Sequence, residues 1–254
     1  MLAWQIKSLA LLPLYIFEGL RARRNQLRLP PAKGPVSGSI EGEGDTLRLL
    51  VIGDSSVAGV GMDHTSAGLT ASLAADLSKR TKQPVEWRAC GANSATSEDL
   101  RVNVLPYTPQ ETFSHIYISI GFNDLKNFRS ASAFKRSFGG LLYGLRTKYP
   151  GANIYWSNIM SPKQVPALSK GLAYVLFFRR QIINKVGRTM CNERTATHLP
   201  VMPNIGPEHF CIDGVHASVE GNMRWAEHVG ALIVQKEEIA TKPLQSAAPE
   251  KVSG

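Results

Sequence analysis

The chain has 254 residues, 43% hydrophobic and 19% charged, which suits one globular domain with a sizeable core and short tails. Its three cysteines, Cys90, Cys191 and Cys211, are too few and odd in number for a disulfide scaffold and fit a reducing compartment. The formal charge of +9 sits largely at the amino end: residues 1–36 hold six cations against Glu18, a net +5, which leaves +4 for the rest, and no nucleic-acid motif accompanies it.

Residues 1–20 are apolar and aromatic, with Trp4, Ile6, Leu9, Leu14, Tyr15, Ile16 and Phe17. The uncharged run, residues 8–17, is shorter than the roughly 20 residues a membrane span needs. No small-x-small cleavage site precedes Arg21. The arginines at 21, 23, 24 and 28 favour the cytoplasmic side of a membrane. Residues 1–28 therefore read as an apolar and basic arm, a helix lying in an anionic membrane interface. The alternative is a helix packed on the domain's own surface. The protein is expected in the cytoplasm, associated through this arm with the inner face of the membrane. Residues 29–46, rich in Pro, Gly and Ser, read as a linker. The folded domain is expected over residues 47–236, and residues 237–254 read as a disordered tail.

Within the domain, strand and helix patterns alternate. Residues 49–52 are a fully apolar strand, broken by Gly53 and followed by Asp54, Ser55 and Ser56. A helix starts near Ser66 and carries the stripe Leu69, Leu73, Leu77. Residues 85–90 are a second strand, 96–104 a short helix and 115–120 a third strand. Phe134, Phe138, Leu141 and Leu145 mark a helix that stops at Pro150-Gly151. Residues 154–157 are a fourth strand, 172–186 an apolar helix and 198–202 a weak fifth strand. Trp225, Val229 and Leu232 mark the last helix. Strands alternating with helices predict an α/β fold with a five-stranded parallel sheet covered on both faces.

Polar residues cluster just past the strands. Asp54-Ser55-Ser56 follows the first, Gly91-Ala92-Asn93 the second and Gly121-Phe122-Asn123-Asp124 the third, and Asp213-Gly214-Val215-His216 precedes the last helix. In a parallel sheet the carboxyl ends of the strands share one edge, where such folds bind ligands. Ser55, Gly91 and Asn123 are then spatial neighbours, within reach of Asp213 and His216. That set contains the parts of acyl transfer: a hydroxyl nucleophile, a base, a carboxylate to orient the base, and N–H donors for an oxyanion. Nucleotide-binding readings fit poorly, because no P-loop lysine follows Gly59 and Gly61 and His64 stands where a third dinucleotide glycine belongs. His209, Cys211 and His216 are close in sequence, but the chain lacks paired Cys-x-x-Cys spacing, so no metal is expected.

The four blocks, Gly53-Asp54-Ser55, Gly91, Gly121-Phe122-Asn123-Asp124 and Asp213-Gly214-Val215-His216, resemble the SGNH, or GDSL, family of ester hydrolases. The resemblance covers the folded domain and not the arm. It implies a flavodoxin-like three-layer α/β/α sandwich and no cofactor. It implies Ser55 as nucleophile, His216 as base, Asp213 as its partner, and Ser55, Gly91 and Asn123 as the oxyanion hole. Ser56 stands where the family usually has Leu, and Asp54 is expected to support the turn.

The resemblance predicts a serine hydrolase of small-molecule carboxylic esters: acyl, lysophospholipid, lipid, aryl or thioesters. An acyltransferase on the same scaffold, and a non-catalytic binding protein that retains the fold, stay open as alternatives. Two features favour acyl chains: residues 172–178, which could wall an acyl pocket, and the arm, which could bring the enzyme to a membrane. Lys126 and Arg129, just past Asn123, could meet an anionic substrate.

Overall fold

The computed structural model describes residues 1–241. The arm forms two helices, α1 (Leu2–Ala10) and α2 (Leu12–Asn25). The body carries β1 (Ser37–Ile40), β2 (Leu47–Gly53), α3 (Leu69–Thr81), β3 (Val85–Gly91), α4 (Ser97–Asp99), β4 (His115–Ser119) and α5 (Phe122–Lys126). It continues with α6 (Ala131–Lys148), β5 (Asn153–Ser157), α7 (Lys170–Glu193), β6 (Thr197–Leu199) and α8 (Val219–Thr241).

The sheet has six strands in the order β1-β3-β2-β4-β5-β6. Five are parallel, as the alternating pattern predicts, and β1 pairs antiparallel with β3 at the edge. Side chains of β2 alternate between two cores. Leu50 and Ile52 pack with Phe134, Phe138 and Leu141 of α6 and Leu176 and Ile183 of α7. Leu49 and Val51 pack with Leu69, Leu73 and Leu77 of α3 and Val229 and Ile233 of α8. A strand buried on both faces must be apolar throughout, which is what residues 49–52 provide. The result is a three-layer α/β/α sandwich.

Three boundaries differ from expectation. The stretch read as a linker, residues 29–46, contains β1, and it runs over the loop after β2. There the N–H of Ala32 bonds to the carbonyl of Ala58, and that of Gly61 to the carbonyl of Pro30. Its composition hides the strand because β1 is four residues long and exposes its middle two. The single arm helix is two: Pro13 stands in the first turn of α2, where its missing N–H and fixed φ begin a new helix. Both arm helices pack against α7. Finally, α8 extends to Thr241, past the expected end of the domain, so only residues 242–254 of the expected tail remain, and they lie outside the described residues.

Candidate active site

The parallel strands end along one edge, and a cavity of about 1170 Å³ opens above it. Ser55, Asn123, Asp213 and His216 all line this cavity.

The chain turns sharply after β2. Asp54 donates its N–H to the carbonyl of Ser119, and its own carbonyl accepts from Val57 and Ala58. The Asp54 carboxylate accepts from the N–H of Ser56 at 3.0 Å and from its hydroxyl at 2.9 Å. Ser56 Oγ also lies 2.7 Å from Ser119 Oγ. Ser56 is thus tied down at the sheet edge. Ser55 is half-buried, and among the described residues neither its N–H nor its hydroxyl has a hydrogen-bond partner. Of the two adjacent serines, Ser55 alone has an unbonded hydroxyl among the described residues. Burial raises the Asp54 carboxyl above its usual range, against the hydrogen bonds from Ser56 and the nearby His216 and Lys126. As expected, Asp54 supports the turn.

Asn123 sits in α5, which Gly121 opens with φ +121°, a conformation that favours glycine. One amide hydrogen of Asn123 goes to the carbonyl of Ala95 at 2.9 Å. The other faces Asp54 Oδ2 at 3.4 Å, a long contact that leaves it available to a ligand. The neighbouring Asp124 is buried and accepts the N–H and hydroxyl of Ser97 at 2.9 and 2.7 Å, which fixes α5 against the start of α4.

On the loop before α8, His216 Nδ1 lies 2.5 Å from Asp213 Oδ2. Asp213 Oδ1 accepts the N–H groups of Val215 and His216. Burial opposes the Asp213 charge, but these three hydrogen bonds and the His216 charge outweigh it and hold the carboxyl below its usual range. The Asp213 side chain is 0% exposed, so its remaining ring partner is fixed in place. This geometry leaves His216 Nε2 as the free ring nitrogen. No hydrogen bond joins Ser55 to His216 among the described residues. Such contacts often tighten only when substrate arrives.

Gly91 departs from expectation. It is the last residue of β3, opposite Gly53, and it does not line the cavity of Ser55. A Cβ there would overlap the backbone of Val57 and Ala58, so glycine is required for close approach to the turn that bears Ser55. The cavity is lined instead by Asn93 and Ser94, two and three residues on. Ser94 adopts φ +62°, rare for a non-glycine residue, and among the described residues its N–H has no acceptor.

The residues expected to wall an acyl pocket also differ. Of residues 172–178, Leu172 lines the cavity, whereas Val175, Leu176 and Phe178 are buried and face the helical packing. The apolar wall comes from Ile159, Met160, Val165 and Leu168 before α7, from Val201, Met202 and Ile205 after β6, and from the arm. Sequence reasoning missed the arm's part in this cavity altogether: Tyr15, Ala22, Leu27 and Leu29 line it, with Glu18 and the cations Arg21, Arg23 and Arg28. The only signal was the arm's apolar character, which is equally that of a helix docked on its own domain.

Comparison with solved structures gives the same fold. TesA is similar at 21% identity, with 73% of this chain and 97% of that chain covered and a TM-score of 0.58. Est24, a carbohydrate acetylesterase from Sinorhizobium meliloti, matches at 15% identity, 75% and 99% coverage and a TM-score of 0.56. The psychrotrophic esterase EstA from Pseudoalteromonas sp. matches at 14% identity, 76% and 98% coverage and a TM-score of 0.58. A search of curated proteins returns no match. The model of the GDSL-like lipase/acylhydrolase family matches residues 51–224, from within β2 into α8. That stretch carries every side chain from the four blocks, and the chain accordingly belongs to the GDSL-like lipase/acylhydrolase family, as a carboxylic ester hydrolase.

Proposed function

We propose that this protein hydrolyses acyl esters through an acyl-enzyme on Ser55. The observation that carries the reading is the contrast between the adjacent serines: Ser56 is hydrogen-bonded on two sides, whereas Ser55 faces the cavity unbonded, beside a histidine already oriented by a buried carboxylate. Ser55 Oγ attacks the ester carbonyl and gives its proton to His216 Nε2. Asp213 holds the ring in the tautomer with Nδ1–H and stabilises the imidazolium. The negative oxygen of the tetrahedral intermediate accepts from the N–H of Ser55, the long-range amide hydrogen of Asn123 and the N–H of Ser94, which replaces Gly91 in that role. The alcohol departs with the proton from His216. A water, deprotonated by the same nitrogen, then releases the acid and restores Ser55.

The cavity supports acyl groups longer than acetyl. It is larger than ordinary ligand pockets, about 300–1,000 Å³, and apolar side chains surround much of it. The arm's outer face supports a lipid surface as partner. Leu2, Ile6, Leu9, Ile16, Phe17 and Leu20 are exposed there, beside Arg21, Arg23 and Arg24. No helix among the described residues is long and apolar enough to cross a membrane, so the arm would lie on the surface. The direct test is turnover of p-nitrophenyl esters from acetate to laurate, with labelling by a fluorophosphonate. The reading expects turnover that rises with chain length beyond acetate. Folded protein without turnover or labelling would contradict it.

A further inference from the structure

A second cavity, of about 400 Å³, borders the turn that bears Ser55. Val57, Ala58 and Gly59 of that turn line it, and Gly59 lines the catalytic cavity as well. Ala32 and Val36 line it from the segment before the family's matched region. The cavity is thus built partly by sequence outside that region, and the chemistry at Ser55 makes no use of it. Its size falls within the roughly 300–1,000 Å³ of ordinary ligand pockets. None of its lining residues is charged.

The amino end of α3 adjoins this cavity: Gly68, Leu69 and Thr70 line it. A helix leaves its first N–H groups without intrahelical acceptors, and a buried helix start needs partners from elsewhere. Here the N-cap is Gly68, which has no side chain to offer. Leu69 is 0% and Thr70 4% exposed, yet among the described residues the N–H groups of both lack an acceptor. A second observation concerns side chains. The hydroxyl of Thr70 is buried without a partner, and so is that of Thr65, which lines the same cavity. Unpaired buried polar groups cost stability, so their gathering at one cavity calls for an acceptor. The partial positive charge of a helix N-terminus favours an anion's oxygen as that acceptor. The remaining wall, with Val36, Val57 and Val104, is apolar. It suits an anionic head on a short hydrocarbon chain better than a bare inorganic anion.

We infer that the second cavity binds a small monocarboxylate. Its oxygens accept from the N–H groups of Leu69 and Thr70 and from the Thr70 hydroxyl, and its apolar chain lies against Val57 and Val104. An ester hydrolase releases acids of this chemistry, so the site senses product at the turn that bears Ser55. That link to catalysis rests on the Ser55 reading above, whereas the binding itself does not.

The test titrates hexanoate into the native protein and into Ser55→Ala, following tryptophan fluorescence and the thermal midpoint. Trp87 lines the second cavity and Trp225 the catalytic one, so a saturable fluorescence change that disappears in Trp87→Phe locates the binding. Hexanol should bind about tenfold more weakly, for want of the charge-assisted contacts, and hexylamine should not bind. Thr70→Val should weaken hexanoate about tenfold. It should also hold or raise the midpoint of the free protein, because it removes an unpartnered buried hydroxyl, and Thr70→Ser should keep the binding. Val104→Trp, at a half-buried position, should fill the cavity and abolish the response. A response that survives both Thr70→Val and Val104→Trp places hexanoate elsewhere and overturns the site. No saturable response, or an equal one to hexylamine, means that water alone meets these donors and overturns it too. With p-nitrophenyl acetate as substrate, hexanoate bound here should lower kcat with KM unchanged, and Thr70→Val should relieve the effect. A purely competitive pattern overturns the link to the Ser55 turn. If the ester does not turn over and a fluorophosphonate fails to label, the Ser55 reading is lost, while the titration of Ser55→Ala still decides the binding.

Discussion

The hydroxyl of Tyr15 donates to the backbone carbonyl of Lys126 at 2.6 Å, joining the arm to the helix that carries Asn123. Its ring lies 4.7 Å from that of Phe128, and the Arg179 guanidinium covers the same Phe128 ring at 4.3 Å. Arg179 is buried and donates to the carbonyl of Arg129. Tyr15, Phe128 and Arg179 thus form a column running from α2, through the loop after α5, to α7. The segment outside the family's matched region is keyed to the loop that follows Asn123.

That column makes the arm part of the enzyme. Removing residues 1–28 should lower the thermal midpoint by several degrees and reduce turnover of acyl esters, because it uncovers Phe128 and removes one wall of the cavity. Tyr15→Phe is the finer probe. Losing one hydrogen bond of this kind costs about 0.5–1.5 kcal/mol, readable in denaturant midpoints. Unchanged stability and turnover in the truncated protein would show the arm to be a separate appendage.

Asn123→Ala should lower kcat by about 10²–10³ with little change in KM, the behaviour of a donor that acts in the transition state. A stability measurement must accompany it, since the same amide bonds to the carbonyl of Ala95 at 2.9 Å. A change confined to KM would instead give Asn123 a role in ground-state binding.

Gly91 and Ser94 should respond in opposite ways. Gly91→Ala forces a methyl group into the backbone of Val57 and Ala58 and should destabilise the fold and disable the Ser55 turn. Ser94→Gly keeps the N–H and relieves a positive φ, so turnover should survive and the folded state should hold or gain stability. Loss of activity in folded Ser94→Gly would mean that its side chain, not its backbone, serves the site.

Asp213 predicts a pH dependence with a definite sign. Its folded pKa lies below the unfolded value, so its contribution is full above the unfolded carboxylate range, near 4, and is lost as pH falls through the folded value. The stability gap between the native protein and Asp213→Asn should therefore be widest near neutrality and close in acid. In single-turnover assays, Asp213→Asn should lose less activity than His216→Ala, because the carboxylate orients and the imidazole transfers the proton. A gap that widened in acid would contradict the hydrogen-bonded carboxylate.

Much of this could be read from sequence because its signals are local. A run such as residues 49–52 specifies a strand buried on both faces, and Asn123, Asp213 and His216 sit in short blocks tied to strand and helix ends. The order of parallel strands then brings them to one edge. Ser94 lies outside the four blocks, and a serine does not announce its positive φ as a glycine would, whereas Gly91 was singled out because it follows the second strand and matches a family block. Strand β1 was hidden by an exposed four-residue edge whose pairing comes from β3, not from its own side chains. The arm was ambiguous in principle: an apolar stripe and four arginines suit a membrane and a protein surface equally, and only the tertiary contacts of Tyr15 and α7 decide which part of it docks.

The central claim is that Ser55, and not its neighbour, is the nucleophile, and peptide mapping after fluorophosphonate labelling tests it most directly. The adduct should be found on Ser55 alone. Ser55→Ala should lose labelling and turnover without loss of thermal stability, while Ser56→Ala, which breaks the contacts to Asp54 and Ser119, should lose stability and keep most of its activity. An adduct on Ser56, or a fully active Ser55→Ala, would contradict the account.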